Sequence, residues 1–376
     1  MARPKKPAKT AVTPVRFAVV GLGYIAQSAA LPAFAHADGC ELAALVSDDA
    51  VKRTRLARTY HVPDTWSYAE FDECLQSGID AVYIALPNTQ HAEFAIRAAK
   101  AGVHVLTEKP MATSVRDATR MIAAARAGGV RLMVAYRLHY QPANLAALAI
   151  ARSGKLGDLR FFSSTFSMQV APGNSRLRAD LGGGSLGDLG IYCINAARTL
   201  FSAEPEEVYA ISTHRGARFR EVDEMTSAVL RFPGERSAVF TCSFGAGATS
   251  AYRLVGSAGR LDLDPAYEET GEFTLRLTVG EKTSTKVFPA GDQFAPEFIR
   301  FAESVRSGRD PEPSGEEGLA DLRVIEALHR SARTGRAVRL GRAPVKARRV
   351  TPAQKLRRPP IEEPALVRAG SPMQDG

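Results

Sequence analysis

The stretch Arg16-Phe-Ala-Val-Val-Gly-Leu-Gly-Tyr-Ile-Ala26 decides the fold of this chain. Residues 17–20 form a short apolar run, which is typical of a buried strand in a parallel sheet. Gly21, Gly23 and Ala26 follow at a Gly-x-Gly-x-x-Ala spacing, which permits a tight turn, close approach of a pyrophosphate and close packing of a helix. The same spacing also occurs in an ordinary strand–turn–helix that binds no nucleotide. The elements that follow in the sequence must therefore distinguish the two. The stretch predicts a dinucleotide site whose phosphates lie at a helix N-terminus.

Strand and helix patterns alternate from this stretch to about residue 140. Expected strands cover residues 42–46, 80–86, 103–107 and 131–136, and expected helices cover 24–34, 52–60, 90–101 and 114–127, the last with Ser114 as N-cap. The alternation predicts an N-terminal Rossmann fold, a doubly wound parallel sheet with its ligand at the carboxyl ends of the strands. Beyond residue 140, many strands with few helices between them predict a C-terminal α+β domain with a large, mostly antiparallel open sheet.

The net charge of +9 lies at the two ends of the chain. The excess of Lys and Arg falls before Val15 and after Gly341, so the intervening residues are close to neutral and no nucleic-acid partner is expected. We expect a disordered basic arm over 1–14, a dinucleotide-binding domain over 15–142, a substrate-binding and dimerisation domain over 143–340, and a disordered basic, Pro-rich tail over 341–376.

Hydropathy and the spacing of the cysteines predict the cellular compartment of the protein. No apolar run approaches the eighteen or so residues of a membrane helix, and the basic start has no apolar segment typical of an export signal. The four cysteines show no C-x-x-C spacing, so no structural metal is expected. We therefore expect a reduced, cytoplasmic protein without a membrane partner.

Polar side chains follow the predicted strands and could carry chemistry. Lys109, at the end of a buried strand and before a proline, can donate to a substrate hydroxyl and stabilise negative charge on oxygen. A lone lysine in a loop is more often a solvated surface group. Asp188 and Tyr192 are four residues apart on a helix expected from about residue 185 to 201, so they share one face. A carboxylate beside a phenol suits acid–base catalysis, although pairs at this spacing are also common in packing.

The motifs, taken in order, resemble the Gfo/Idh/MocA family of nicotinamide-dependent sugar oxidoreductases, and most of all its glucose–fructose oxidoreductase-like branch. The residues that carry the resemblance are Gly21-Leu-Gly23, Leu86-Pro-Asn88 with His91, Glu108-Lys-Pro110, Tyr136-Arg137, Leu181-Gly-Gly-Gly-Ser-Leu186, Asp188-Leu-Gly-Ile-Tyr192 and Asp292-Gln-Phe294. The resemblance covers roughly residues 15–340. It implies a small sugar substrate and a homodimer or homotetramer formed through the open sheet.

The resemblance also implies roles for individual residues. Lys109 would contact the substrate oxygen and the cofactor ribose, Asp188 would orient the substrate, and Tyr192 would be the proton donor or acceptor, with no metal. The implied cofactor-binding residues are Gly21, Gly23, Tyr24, Ile25, Ser47, Asp48, Lys52, Arg53, Leu86, Pro87, Asn88, His91, Glu108, Lys109, Arg137, Gln293 and Phe294. The residues expected to line the sugar pocket are Tyr140, Arg176, Arg178 and Ser185.

The choice between NADP and NAD depends on the residues after the second strand. Ser47 and Lys52 match the pair that holds the 2′-phosphate of NADP in the resembling branch, and Arg53 adds positive charge. Asp48 favours NAD instead, because two like charges about 4 Å apart repel by about 4 kcal/mol at an effective dielectric constant of 20. We predict NADP, with NAD as the alternative if Asp48 faces the ribose.

The expected reaction is hydride transfer to or from an aldose or polyol carbon. One variant exchanges hydride between two sugars on a cofactor that never leaves, with the residues before Val15 as an arm closing over it. The alternatives are a trans-dihydrodiol dehydrogenase-like oxidoreductase and a non-catalytic scaffold that senses the cofactor.

Overall fold

The computed structural model describes residues 13–341 and 356–373. Its first sheet contains the parallel strands β1 (Val15–Val20), β2 (Cys40–Val46), β3 (Asp64–Trp66), β4 (Ala81–Ile84), β5 (His104–Glu108) and β6 (Leu132–Ala135). They lie in the order β3-β2-β1-β4-β5-β6, which confirms the doubly wound sheet. The order reverses between β1 and β4, so a ligand crevice is expected at their carboxyl ends.

The helices of this half begin with an irregular segment. A π-helical turn (Ala26–Ala30) leads into α1 (Leu31–Ala33) and a 3-10 turn (Phe34–His36), where the sequence predicted one helix over 24–34. Pro32 has no N–H with which to continue an α-helical ladder, which accounts for the break. The other helices are α2 (Ala50–Tyr60), α3 (Phe71–Leu75), α4 (His91–Lys100) and α5 (Val115–Ala127). Ser114 caps α5 as predicted, because its hydroxyl accepts from the Asp117 N–H at 3.0 Å.

The second sheet has nine strands among the described residues. They are β7 (Leu159–Ser167), β8 (Glu207–Thr213), β9 (Met225–Phe232), β10 (Arg236–Ser243), β11 (Thr249–Gly256), β12 (Gly259–Asp264), β13 (Phe273–Val279), β14 (Lys282–Phe288) and β15 (Val338–Arg339). Their order is β14-β13-β12-β11-β7-β10-β9-β8-β15, with β7 and β10 parallel and the other described pairs antiparallel. The mostly antiparallel sheet is thus confirmed.

Helices cover one face of this second sheet. Helix α6 (Pro142–Arg152), a π-helical turn (Leu186–Gly190) that leads into α7 (Ile191–Phe201), and α9 (Gly315–Thr334) pack on it. The opposite face carries exposed apolar side chains on four neighbouring strands, β7 to β10. They are Phe161, Tyr209, Ile211, Val229 and Val239, which we call the open face. No described helix is long and apolar enough to cross a bilayer.

Helix α8 (Phe294–Ser307) returns to the first sheet, although the sequence assigned all of 143–340 to the second domain. Its Phe298 ring lies 5.4 Å from that of Phe17 on β1 and 5.2 Å from that of Tyr83 on β4. All three side chains are buried in one hydrophobic cluster. The reason is burial: the apolar residues of α8, β1 and β4 leave water by packing against one another.

The C-terminal segment Leu356–Met373, expected to be part of a disordered tail, packs against the folded chain. Val367 is buried, and its N–H donates to Gln27 Oε1 at 2.7 Å while Gln27 Nε2 donates to its carbonyl at 3.0 Å. The composition of the segment is Pro-rich, but these contacts are specific, and composition does not reveal them. The expectations for residues 1–12, 342–355 and 374–376 lie outside the described residues.

Candidate functional site

A groove of about 330 Å³ lies at the carboxyl ends of β1, β4 and β5, between the two sheets. The residues that line it are Gly23, Tyr24, Ile25, Lys52, Ala85, Leu86, Pro87, Asn88, Glu108, Lys109, Ala135, Arg137, Asn174, Ser175, Arg176, Leu181, Gly183, Asp188, Tyr192, Glu269, Phe294, Ala369 and Gly370. The catalytic residues inferred from the sequence and most of the inferred cofactor residues therefore meet in one place.

The glycine turn fits a dinucleotide. Gly21 has φ +94°, and a Cβ there would lie 2.5 Å from the Ala85 carbonyl oxygen, so only glycine makes this turn without strain. A Cβ on Gly23 would meet no atom within 4 Å, so the space above it is open to a phosphate. This open space at the start of a helix is what a pyrophosphate requires, and the residues present fit a nicotinamide dinucleotide.

Lys109, Asp188 and Arg176 form a charged cluster in the groove. Lys109 Nζ donates to Asp188 Oδ1 at 2.6 Å and to the Asp188 carbonyl at 3.1 Å, while Arg176 Nε donates to Asp188 Oδ2 at 2.7 Å. Burial disfavours the Asp188 carboxylate, but Arg176 and Lys109 outweigh it and hold the pKa of Asp188 well below its usual range. Burial also opposes the Lys109 ammonium, yet Asp188 raises the pKa of Lys109. The cluster is therefore fully ionised at neutral pH.

Two cations lie close to the Tyr192 ring. Lys109 Nζ lies 4.9 Å and Arg137 Cζ 5.3 Å from its centroid. Arg137 is buried and held by Gln293 Oε1 and the Glu268 carbonyl, both at 2.7 Å from its Nη1. Both positive groups are therefore within the range of cation–π attraction to this ring.

Glu108 supports the site beside Lys109. Its Oε1 accepts from the Tyr83 hydroxyl at 2.6 Å, and its Oε2 accepts from the Lys109 N–H at 3.1 Å. Burial raises the pKa of Glu108, which Lys109 partly counteracts. The carboxyl group therefore fixes the end of β5, from which the Lys109 side chain extends into the groove.

The turn after β4 joins the two halves of the molecule. Asn88 Nδ2 donates to the Gly182 carbonyl at 2.8 Å, which links the turn to the glycine-rich segment before α7. His91 is fully buried beneath the turn, and its ring nitrogens lie 2.9 Å from the Leu86 and Pro110 carbonyls. His91 therefore does not line the groove; it holds together the two turns that do.

The end of the groove that the sequence assigns to the adenosine ribose carries Lys52, in the first turn of α2. Asp48 is exposed and its Oδ1 accepts from the Tyr68 N–H at 2.8 Å, so this carboxylate is held by the β3–α3 loop and does not line the groove. Ser47 is buried, and Arg53 donates to the Ser47 carbonyl. Of the four residues inferred for this end, only Lys52 lines the groove.

The structure places several other inferred residues outside the groove. Gln293 acts through Arg137, as described above. Tyr140 is buried, and its hydroxyl donates to the Glu312 carbonyl at 2.5 Å. Arg178 pairs with Asp180 at the surface, and Ser185 is buried and donates to Asp223. Of the inferred sugar-pocket residues, only Arg176 lines the groove.

Sequence reasoning missed three parts of the lining. Glu269 comes from the loop after β12, Asn174 and Ser175 from the loop after β7, and Ala369 and Gly370 from the C-terminal segment. None belongs to a motif with a fixed spacing, so no signal in a single sequence could have found them. Tertiary packing alone brings these residues to the groove.

Two family models match the chain. Residues 15–136 match the oxidoreductase family with an NAD-binding Rossmann fold, and residues 144–262 match the Gfo/Idh/MocA C-terminal domain. The chain belongs to the Gfo/Idh/MocA family of oxidoreductases. The resemblance read from the motifs is thereby confirmed, and with it the prediction of an enzyme that uses a nicotinamide cofactor.

Similar proteins of this family carry named activities. The NADP-dependent D-xylose 1-dehydrogenase of Haloarcula marismortui is 32% identical over 87% of this chain and 93% of its own length. The aldose-aldose oxidoreductase from Caulobacter crescentus, solved with glycerol, is 37% identical with a TM-score of 0.84, over 87% of this chain and 100% of that one. A 3-ketoreductase from Actinomadura kijaniata, solved with NADP and TDP-benzene, is 32% identical with a TM-score of 0.78. The match covers 85% of this chain and 98% of that one. One of these proteins is NADP-dependent and another was solved with NADP, in agreement with the cofactor predicted here.

Proposed function

We propose that this protein is an NADP-dependent oxidoreductase of sugars, with Tyr192 as the proton donor or acceptor. The observation that carries the proposal is the meeting of the Lys109 ammonium, the Tyr192 phenol and the open glycine turn in one groove. The names of the relatives support a sugar substrate. The absence of Asp48 from the groove lining, together with the presence of Lys52 there, supports NADP over NAD.

A nicotinamide held at the glycine turn would supply the hydride chemistry at the sugar carbon. Lys109 uses two of its three N–H donors on Asp188, which leaves the third for the sugar oxygen. Asp188 holds Lys109 and Arg176 in place, so its proposed role is to position these two cations. Tyr192 exchanges the proton of the same oxygen, and the two cations beside its ring favour negative charge on it.

A screen of aldoses, polyols and trans-diols with NADP and NAD tests this function. We expect turnover of at least one sugar with NADP. Tyr192→Phe should lower kcat by about 10²- to 10⁴-fold, the usual contribution of a positioned proton donor, with the Kd for NADPH within twofold of wild type. Tyr209→Phe, on the open face, is the matched control and should leave kcat unchanged. Undiminished kcat in Tyr192→Phe would remove the proton role, and a preference for diols would favour the dihydrodiol dehydrogenase-like alternative.

The open face supports a further part of the proposal, a homodimer formed through the second sheet. Five large apolar side chains on adjacent strands are exposed there, among them Ile211 and Val229. Monomeric proteins rarely expose contiguous apolar patches beyond a few hundred Å². A second copy of this chain is the occupant that the family resemblance implies.

A further inference from the structure

The C-terminal segment Leu356–Met373 follows a fixed path across the first sheet. It begins at the end of the molecule near α8, where Arg358 Nη2 lies 2.6 Å from Asp38 Oδ2 and the Arg358 carbonyl accepts from the Asp292 N–H at 3.3 Å. Leu356 and Ile361 pack against the hydrophobic cluster beneath the parallel sheet. The segment therefore has an apolar underside as well as polar anchors.

The middle of the segment is attached to the glycine turn. Gln27 lies on the π-helical turn directly after Gly23 and exchanges two hydrogen bonds with Val367. The same Gln27 Nε2 donates to the Leu22 carbonyl at 2.9 Å. One buried amide thus joins the dinucleotide turn to the C-terminal segment.

The last described residues cross to the second domain. The Pro372 carbonyl accepts from the Ala171 N–H at 2.9 Å, and Met373 forms an isolated bridge with Val170. Between these contacts and Val367, residues Ala369 and Gly370 form part of the wall of the groove. The segment therefore spans the cofactor groove from one domain to the other.

Arg368 places a positive charge at the end of the groove assigned to adenosine. Its Nη1 lies 3.3 Å from Asp49 Oδ1, and Asp49 caps the helix on which Lys52 stands. The Arg368 side chain is 61% exposed, so it can turn from Asp49 to a phosphate on the ribose. Arg368 and the rest of this segment lie outside both family models.

We propose that residues 366–373 are a strap that closes the cofactor groove and retains NADP between turnovers, with Arg368 as an additional ligand of the 2′-phosphate. The proposal rests on the proposed function only for the identity of the cofactor. The bound dinucleotide would lie between the glycine turn and Ala369–Gly370. Release would then require the Val367–Gln27 bonds and the contacts with Val170 and Ala171 to break first.

The test measures cofactor release and includes no sugar. NADPH bound to the full-length protein is chased with excess NADP, and the loss of its fluorescence is followed. In Val367→Asp, a buried charge should detach the strap, and we expect release at least about tenfold faster, equivalent to about 1.4 kcal/mol. Val287→Asp makes the same change at an exposed position on β14 and should release NADPH at the wild-type rate.

Two further measurements test the strap independently of Val367→Asp: cofactor affinity and amide hydrogen exchange. Arg368→Ala should weaken NADP about threefold to tenfold and leave the Kd for NAD unchanged. Amide hydrogen exchange on the wild-type protein should show slower exchange over residues 366–373 when NADP is added, a readout that needs no variant. Release by Val367→Asp within twofold of wild type, or exchange unaffected by NADP, would overturn the strap and leave the proposed function standing. Failure of the wild-type protein to bind either nicotinamide would overturn both.

Discussion

At the residue scale, Gly21 and Gly23 are constrained for different reasons. Gly21 is required by the fold, because its positive φ and the nearby Ala85 carbonyl exclude any side chain. Gly23 has no such structural constraint, because a side chain there would meet no other atom and would extend into the groove, so we propose that this glycine is needed for the ligand. Substitutions at the two sites should therefore separate stability from cofactor binding.

Gly23→Val should fold with a Tm within about 2 °C of wild type but bind NADPH at least a hundredfold more weakly, since its side chain would occupy the pyrophosphate position. Gly21→Ala should instead lower the free energy of unfolding by about 1–3 kcal/mol, the usual cost of a strained backbone position. Thermal melting of the apoprotein and fluorescence titration with NADPH distinguish the two. Normal NADPH affinity in Gly23→Val would show that the cofactor does not lie over this turn.

At the element scale, the turns after β4 and β5 are held by one buried histidine. A neutral imidazole carries a single N–H, so His91 donates to only one of the two carbonyls that face it. Burial lowers the pKa of His91, the neighbouring carbonyls partly offset this, and Lys109 adds to the lowering. The folded state therefore favours the neutral ring.

The stability of the protein should fall as pH is lowered through the ordinary histidine range. A histidine whose pKa is lowered by folding binds its proton more readily in the unfolded chain, so stability rises with pH below about 6.5 and levels off above it. His104 and His329, whose pKa values burial also lowers, add to the same slope. His91→Gln should be less stable than wild type at pH 8, and the difference should narrow at pH 5.

Urea unfolding followed by circular dichroism at the two pH values measures this difference. His61→Asn, at the exposed end of α2, is the control and should track wild type at both values. A gap between His91→Gln and wild type that stays constant or widens on acidification would mean that His91 is not held neutral by burial.

At the scale of the whole molecule, the second sheet has one face covered by helices and one face open. Because the side chains of a strand alternate between faces, residues such as Val208 and Ala210 are buried under α9, while Tyr209 and Ile211 point outwards. An apolar outer face on central strands is costly in water unless a partner covers it.

Ile211→Asp should therefore shift the protein from dimer towards monomer at micromolar concentration. A charge buried in an apolar interface loses its hydration, and a two-fold interface contains the substitution twice, once from each copy. Sedimentation velocity measures the shift. Val51→Asp, an exposed position on α2 in the first domain, should sediment as wild type. A monomeric wild-type protein, or an unchanged Ile211→Asp, would rule out this interface.

The strands and helices with a clear apolar period were predictable, and those without one were not. The strands predicted over 103–107 and 131–136 agree with β5 and β6 to within one residue at each end, because each is an apolar run that must be buried. Strand β14 was missed: its residues up to Val287 are exposed at the edge of the sheet and show no apolar alternation. The short elements β3 and α3 were missed because a few residues carry too little pattern.

The sequence by itself determined the Rossmann turn, the family and the residue types that meet in the groove. These are local patterns: glycine spacing, strand ends and motifs in a fixed order, each legible without knowing what packs against it. Tertiary structure alone decided that Asp48 does not line the groove, that Tyr140 and Ser185 are buried apart from it, and that Ala369 and Gly370 line it. The physical reason is that a side chain's partners come from distant parts of the chain, as Gln27 and Val367 do, and are brought together only by packing.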